Sequence, residues 1–332
     1  MPSTMILYTV IIVILALIFD FINGFHDSAN AIATSVSTRV LSLKSAVIMS
    51  AVFNFVGAFL SDKVAKTVGD GIVNTSLISP TVIIVAIIAA IIWDLLTWYF
   101  GIPSSSSHAL IGSLIGAAIV YQTSFSVVYW KTFILKIILP LILSVIIGFV
   151  VGYLVMILLQ WILRKSKPSF VTKFFSKFQI LSAMLMALNH GMNDAQKSMG
   201  IISMALVSGG LLQQFEVPVW VKIICAIAMA FGTYFGGQRI IKTMGTKMAR
   251  LAPVNGFAAE TSAAAVIFGA SMLSAPVSTT QIISTAIMGV GASNRISSVR
   301  WMLARNILWA WIITIPICAL IASILGLLVK VL

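Results

Sequence analysis

Ten stretches of this 332-residue chain are apolar over about 20 residues each, the length a helix needs to cross a bilayer. They run approximately over 5–25, 44–62, 78–100, 105–121, 133–163, 179–208, 217–237, 256–274, 277–293 and 302–331. The runs are continuous rather than alternating, which selects helices over membrane strands. Only 9% of the residues are charged and 60% are apolar, whereas soluble domains are about 25% charged. That excludes an ordinary soluble enzyme, a disordered chain and a nucleic-acid-binding module. It also makes membrane lipid the expected surroundings. Cys225 and Cys318 both lie inside apolar runs, so neither a disulfide framework nor a cysteine metal cluster is expected. No Lys or Arg precedes the first run and no small-residue cleavage site follows it, so it reads as a retained span.

The net charge of +13 sets the orientation, because Lys and Arg gather in cytoplasmic loops. With the N-terminus outside, the inward loops carry Arg39, Lys44, Arg164, Lys165, Lys167, Lys173, Lys177, Arg239, Lys242, Lys247, Arg250, Arg295, Arg300 and Arg305. The outward side keeps Lys63, Lys66, Lys131, Lys136, Lys222 and Lys330. This split places a multi-pass protein in the cell membrane with both termini extracytoplasmic.

The chain also repeats itself. Asn23-Gly24-Phe25-His26-Asp27-Ser28-Ala29-Asn30 ends the first span, and His190-Gly191-Met192-Asn193-Asp194-Ala195-Gln196-Lys197 interrupts the sixth. Aligning Asp27 on Asp194 superposes Gly24 on Gly191. Further along, Pro103-Ser104-Ser105-Ser106-Ser107-His108 opens the fourth span and Pro276-Val277-Ser278-Thr279-Thr280-Gln281 the ninth, with Gly116 then on Gly289. The basic segment 164–178 reads as a cytoplasmic linker between a first repeat, 1–163, and a second, 179–332. Each half has about five spans, an odd number, so the halves enter the membrane from opposite faces. The expected fold is therefore an all-α polytopic membrane protein of about ten transmembrane helices in two inverted-topology repeats. Interrupted helices or hairpins form the site, as in secondary transporters.

Charged groups inside spans are costly and mark pathways or relays. Asp20, Asp27, Asp94, Asp194 and Glu260 lie in or beside spans. Asp27 and Asp194 are related by the repeat. Asp20 is not, since Ala187 stands at its place, while Asp94 and Glu260 read as loose counterparts. Lys197, three residues after Asp194, either pairs with it on the helix or meets an anionic substrate. The histidines either orient an aspartate or carry a proton. Pro followed by Ser and Thr suits a helix start, and free N–H groups and the positive dipole end there make an anion site. Carboxylates beside such helix ends fit an anion that is protonated or travels with cations. Phosphate offers P–OH donors to the carboxylates; sulfate offers none.

The two aspartate motifs resemble the duplicated Gly-Ala-Asn-Asp-Val-Ala-Asn signature of the inorganic phosphate transporter (PiT) family, and the two Pro-Ser/Thr segments match its second repeated element. The resemblance spans both halves and implies symport of phosphate with Na⁺ or H⁺. Bacterial members include low-affinity carriers that take a neutral metal–phosphate complex, so Mg²⁺ or another divalent ion is expected as cargo rather than as a permanent metal. Departures are His26 for Asn and Gln196-Lys197 for Ala-Asn; Lys197 in place of one bound cation favours H⁺. The expected substrate ligands are Asp27, Asn30, Ser105, Ser106, Ser107, Asn193, Asp194, Gln196, Ser278, Thr279 and Thr280. The coupling ion falls to Asn23, His26, Asp27, Asp194, Lys197 and Glu260. No cofactor and no catalytic residue is expected, and the family suggests a homodimer. A sulfate permease, an intramembrane hydrolase and a passive channel are the competing readings. Ser107 and His108, adjacent on a helix, project about 100° apart and make no dyad.

Overall fold

The computed structural model describes residues 3–74, 77–235, 241 and 251–331. Among these residues every regular element is helical. Helix α1 (Ser3–His26) runs into α2 (Ser28–Ser37) with a break at Asp27. Helices α3 (Leu43–Gly57), α4 (Lys63–Asp70), α5 (Pro80–Phe100) and α6 (Ser106–Gln122) follow. A short α7 (Trp130–Phe133) passes through a π-helical turn, Ile134–Ile138, into α8 (Leu139–Leu163). The rest comprises α9 (Pro168–Ser208), α10 (Val219–Phe235), α11 (Pro253–Met272), α12 (Thr279–Asn294) and α13 (Trp301–Val331). Each apolar stretch read from the sequence falls mainly on one of these helices. Arg239, Lys242, Lys247 and Arg250 lie outside the described residues.

Among the described residues, five helical segments are long and apolar enough to cross a membrane on their own: Thr4–Ser37, Pro80–Phe100, Trp130–Leu163, Pro168–Ser208 and Trp301–Val331. The outer faces of α8 and α13 expose a band of large aliphatic residues, among them Ile146, Leu154, Ile312 and Leu320. Such a band is an aggregation hazard in water and is at home against acyl chains. Helices α6 and α12 are the opposite case. They are buried over most of their length and need no lipid-facing stripe, which is why their Ser, Thr and Gly content is tolerated.

Local chemistry sets the boundaries. Pro80, Pro168 and Pro253 each occupy a first turn, where the missing N–H costs nothing. Gly101 ends α5 in the left-handed conformation (φ 65°) and turns the chain back into α6, which packs against it. Helices α11 and α12 form a second hairpin of the same kind. Helix α6 lies on α13 and α12 on α8, so each crosses to the last helix of the other half. These crossings are close. A Cβ at Gly116 would lie 2.1 Å from the Ala319 carbonyl oxygen, and one at Gly289 would lie 2.1 Å from that of Phe149.

Two expectations are corrected. The sixth span is not interrupted: α9 runs unbroken through His190–Lys197, and only the first motif breaks its helix. The expected linker 164–178 is itself helical from Pro168 onward, which leaves its part as a link between the repeats untouched. Phe174 stacks on Phe178 at 4.4 Å and Phe175 meets Phe257 at 5.2 Å, contacts that favour a helix despite the basic composition. Asp94 and Glu260 are not counterparts. Helices α5 and α11 both begin at a proline, Pro80 and Pro253, and that register sets Asp94 against Ile267 and Glu260 against Ile87.

Gly116→Val drives two methyls into the α13 backbone. Thermal unfolding of the purified protein in detergent should report a loss of at least about 1–3 kcal/mol, the usual cost of overpacking.

Candidate functional site

Asp27 sits in the break between α1 and α2, as the N-cap of α2. Its carboxylate is fully enclosed, and three elements bring groups to it. His26 Nδ1 lies 2.7 Å from Oδ1. Ser106 Oγ, in the first turn of α6, lies 2.6 Å from Oδ2 and 2.9 Å from Asn23 Oδ1. Thr280, in the first turn of α12, donates to Oδ1 at 3.0 Å and accepts from Asn30 Nδ2 at 2.8 Å. A buried carboxylate needs such donors, because without them its ionised form is strongly disfavoured.

Asp194 is the second centre. Lys197 Nζ lies 2.8 Å from Oδ1 and His190 Nε2 lies 3.3 Å from Oδ2. Thr279, in the first turn of α12, donates to Oδ2 at 3.4 Å. Lys197 is 1% exposed, so this is a buried ion pair, and removing either partner leaves an uncompensated charge. The two motifs place their histidines differently, for a backbone reason. On the unbroken α9 only a residue three or four positions away shares the aspartate's face, and His190 is four before Asp194. At Asp27 the helix breaks, and the adjacent His26 folds back onto the carboxylate.

The starts of α6 and α12 are built alike. Ser105 and Ser278 are N-caps, accepting from the backbone N–H of His108 and Gln281, each at 3.3 Å. The remaining first-turn N–H groups lack partners within the helix, and the hydroxyls of the same turns reach Asp27 and Asp194. His108 Nδ1 lies 3.5 Å from Gln281 Nε2, so these matching positions of the two motifs face each other. The motif glycines serve packing: a Cβ at Gly24 would meet the Met229 carbonyl at 2.4 Å and one at Gly191 that of Asn54 at 2.2 Å.

The structure therefore brings together Asn23, His26, Asp27, Asn30, Ser106, Asp194, Lys197, Thr279 and Thr280. Other expected residues have different engagements. Ser107 donates to the Val277 carbonyl at 3.1 Å and Asn193 to Ser271 at 2.9 Å. Gln196 accepts from the N–H groups of Val64 and Ala65, at 2.8 and 3.1 Å, and so caps α4. Glu260 stands in a separate buried cluster: Thr34 and Ser35 donate at 2.5 and 2.6 Å, with Gln179 and Ser182 beside it. Sequence reasoning missed Asn54, which links the second motif to the first. Its Oδ1 faces His190 Nδ1 at 3.1 Å and its Nδ2 donates to Ser28 at 2.9 Å. It also missed Thr97, whose hydroxyl lies 3.2 Å from His26 Nε2. A lone amide or hydroxyl inside an apolar span was the available signal for both.

The profile of the phosphate transporter family matches the chain in two segments, residues 23–171 and 164–322. The chain belongs to the phosphate transporter family. Each matched segment contains one aspartate motif and one hydroxyl-rich helix start. A relative from Bacillus subtilis, named a probable low-affinity inorganic phosphate transporter, is 48% identical over 323 residues, 96% of each chain. One of the same name from Rhizobium meliloti is 49% identical over 315 residues, 94% of each. A solved structure described as the sodium-dependent phosphate transporter superposes with a TM-score of 0.89, covering 98% of this chain and 99% of its own, at 22% identity. That last likeness shows a shared fold. This member of the phosphate transporter family is accordingly a membrane transport protein and not an enzyme.

Gln196→Ala should cost about 0.5–2 kcal/mol, as loss of a helix cap does. It should leave the KM for phosphate uptake within about twofold, because its amide holds α4 rather than the aspartates. Thermal unfolding and uptake kinetics on the same preparation check both halves of this.

Proposed function

We propose that this transporter is a proton-coupled symporter of inorganic phosphate working by alternating access. Its repeats, 1–163 and 179–332, would cross the membrane in opposite senses, with ten spans in all, around a site near the midplane. The observation that carries this reading is a repeated contact. Ser106 meets Asp27 and Thr279 meets Asp194, and each hydroxyl occupies the same place in its motif relative to the aspartate of its own half. Other repeated details support it. Trp130 Nε1 donates to the Phe125 carbonyl at 2.9 Å, and Trp301 Nε1 to that of Ile296 at 2.8 Å.

Phosphate suits this centre because it is donor and acceptor at once. The carboxylates of Asp27 and Asp194 take its P–OH groups, while Ser106, Thr279, Thr280, Asn30 and the helix-start N–H groups take its anionic oxygens. Sulfate has nothing to give the carboxylates. Thr280 and Asn30, drawn from different halves, would part and re-form as one half moves against the other. Lys197, paired with Asp194, already supplies a positive charge, which favours H⁺ over a full Na⁺ complement. The names of the two bacterial relatives support low affinity, and a divalent ion such as Mg²⁺ would enter as part of the cargo. The sodium-dependent structural relative favours the second reading, Na⁺ coupling, with Asn23, His26, Asp27 and Asp194 as cation ligands. Lys63 and Lys136 both donate to carbonyls at the end of α11, those of Met272 and Leu273, and Lys222 pairs with Asp62 next to Lys63. This supports a common outer face for these lysines in the cell membrane, with both termini outside.

Purified protein in liposomes, given ³²P-phosphate, should accumulate it on an imposed pH gradient without Na⁺, and excess sulfate should not compete. Accumulation that strictly requires Na⁺ would refute proton coupling. Asp27→Asn should reduce uptake roughly 10- to 200-fold, the equivalent of about 1.5–3 kcal/mol for a hydrogen bond to a charged group.

A further inference from the structure

Helix α1 carries a second acid seven residues before Asp27. Asp20 is completely buried. Neither of its oxygens has a hydrogen-bond partner. Among the described residues no Lys, Arg or His nitrogen lies within 4.0 Å of it. Its polar neighbours are the Ser198 hydroxyl of α9 and the Cys225 thiol of α10. Ser198 is itself fully buried, and its hydroxyl also lacks a partner. Two unsatisfied polar groups thus stand together in a helix junction that packing would otherwise close with apolar side chains.

A structural acid would look different, and Glu260 shows how: four side chains donate to it. Nor does the repeat demand Asp20, because the matching position of α9 is Ala187. What remains is a carboxyl group that is stable in this setting when it binds a positive charge. Seven residues of helix bring it to the same face as Asp27, about 10 Å away along the axis.

The charged and titratable groups facing it are few. From α9 they are Asp194 and Lys197, already paired with each other; from α10 there is Cys225. Helix α5, which packs against α1, carries Asp94, but its electrostatic neighbours are His26 and Asp27 together with the same Lys197–Asp194 pair, not Asp20. At the end of α1 and in the break after it stand His26 and Asp27, held to each other at 2.7 Å. The occupant's chemistry follows from the donors. A hard metal cation needs a shell of oxygens, and a thiol is a poor ligand for one. A proton needs a single oxygen.

We propose that Asp20 is a proton-binding residue of the carrier, holding the transported proton at its junction with Ser198 and Cys225, two helical turns from Asp27. The proton forms an O–H bond on one carboxyl oxygen when that oxygen meets water on the entry side. The bond breaks to water on the other side once the halves have moved. The protonated acid then has a hydrogen to donate and can complete a bond with Ser198. This inference rests on the proton-coupled reading above and names the group that does the coupling.

The test separates coupling from transport in proteoliposomes of the full-length protein. Phosphate exchange, with phosphate on both sides and no gradient, reports binding and movement. Accumulation on a one-unit pH gradient reports coupling, worth a factor of about ten per coupled proton. Asp20→Asn, a shape-matched copy of the neutral acid, should keep exchange within about threefold of wild type while its accumulation ratio falls towards one. Asp20→Glu should keep accumulation, with its pH dependence displaced. Asp20→Asn that accumulates like wild type overturns the proposal, and so does one that loses exchange together with accumulation. A wild-type protein that accumulates phosphate only with Na⁺ overturns the proton-coupled reading first, and is recognised before any variant is made.

Discussion

Ionisable groups buried in the middle of a membrane protein dominate everything around them. Two carboxylates, Asp27 and Asp194, stand where water cannot solvate them, and each must be given donors or a cation by the protein. The fold can be understood as the means of delivery. Helices α6 and α12 start inside the protein so that their first-turn hydroxyls reach the aspartates. They can do so because hairpins with α5 and α11 carry the chain inward, and because the close crossings at Gly116 and Gly289 let them lie against α13 and α8. The apolar exterior then belongs to the long helices, whose outward faces need no polar chemistry.

The two halves solve the same problem unequally. Around Asp27 the chain breaks its helix, and the neighbouring His26 is the nearest basic group. Around Asp194 the helix continues, and the basic groups come from one turn away on both sides, His190 and Lys197. A broken helix exposes backbone groups and can reorganise. A continuous one with an internal ion pair is stiffer and keeps its charge balance without help.

Much of this was legible in the residues. The helical class followed from continuous apolar runs, and the pairing of motifs from matched order and spacing. The importance of the helix starts followed from Pro followed by Ser and Thr. What was not legible depended on backbone path. The same aspartate motif reads as an interruption in both copies, yet only the first interrupts, because flanking residues 168–189 and 198–208 extend α9 through the second. Gln196 looked like a ligand by its position in the motif. It proved to be a cap because the start of α4 lies within reach of its side chain.

Hydropathy and repetition are local or periodic properties of the chain. By themselves they determined an all-helical membrane protein and singled out two matched pairs of polar motifs. Which hydroxyl meets which carboxylate was decided by tertiary structure alone. Thr280 and Asp27 are separated by 253 positions, and their contact depends on the approach angle of two helices from different halves. The isolation of Asp20 belongs to the same class of fact. An acid in an apolar span looks the same in sequence whether or not a cation faces it, and only the packing of α9 and α10 around α1 left Asp20 without an ion pair, with a hydroxyl and a thiol as its polar neighbours.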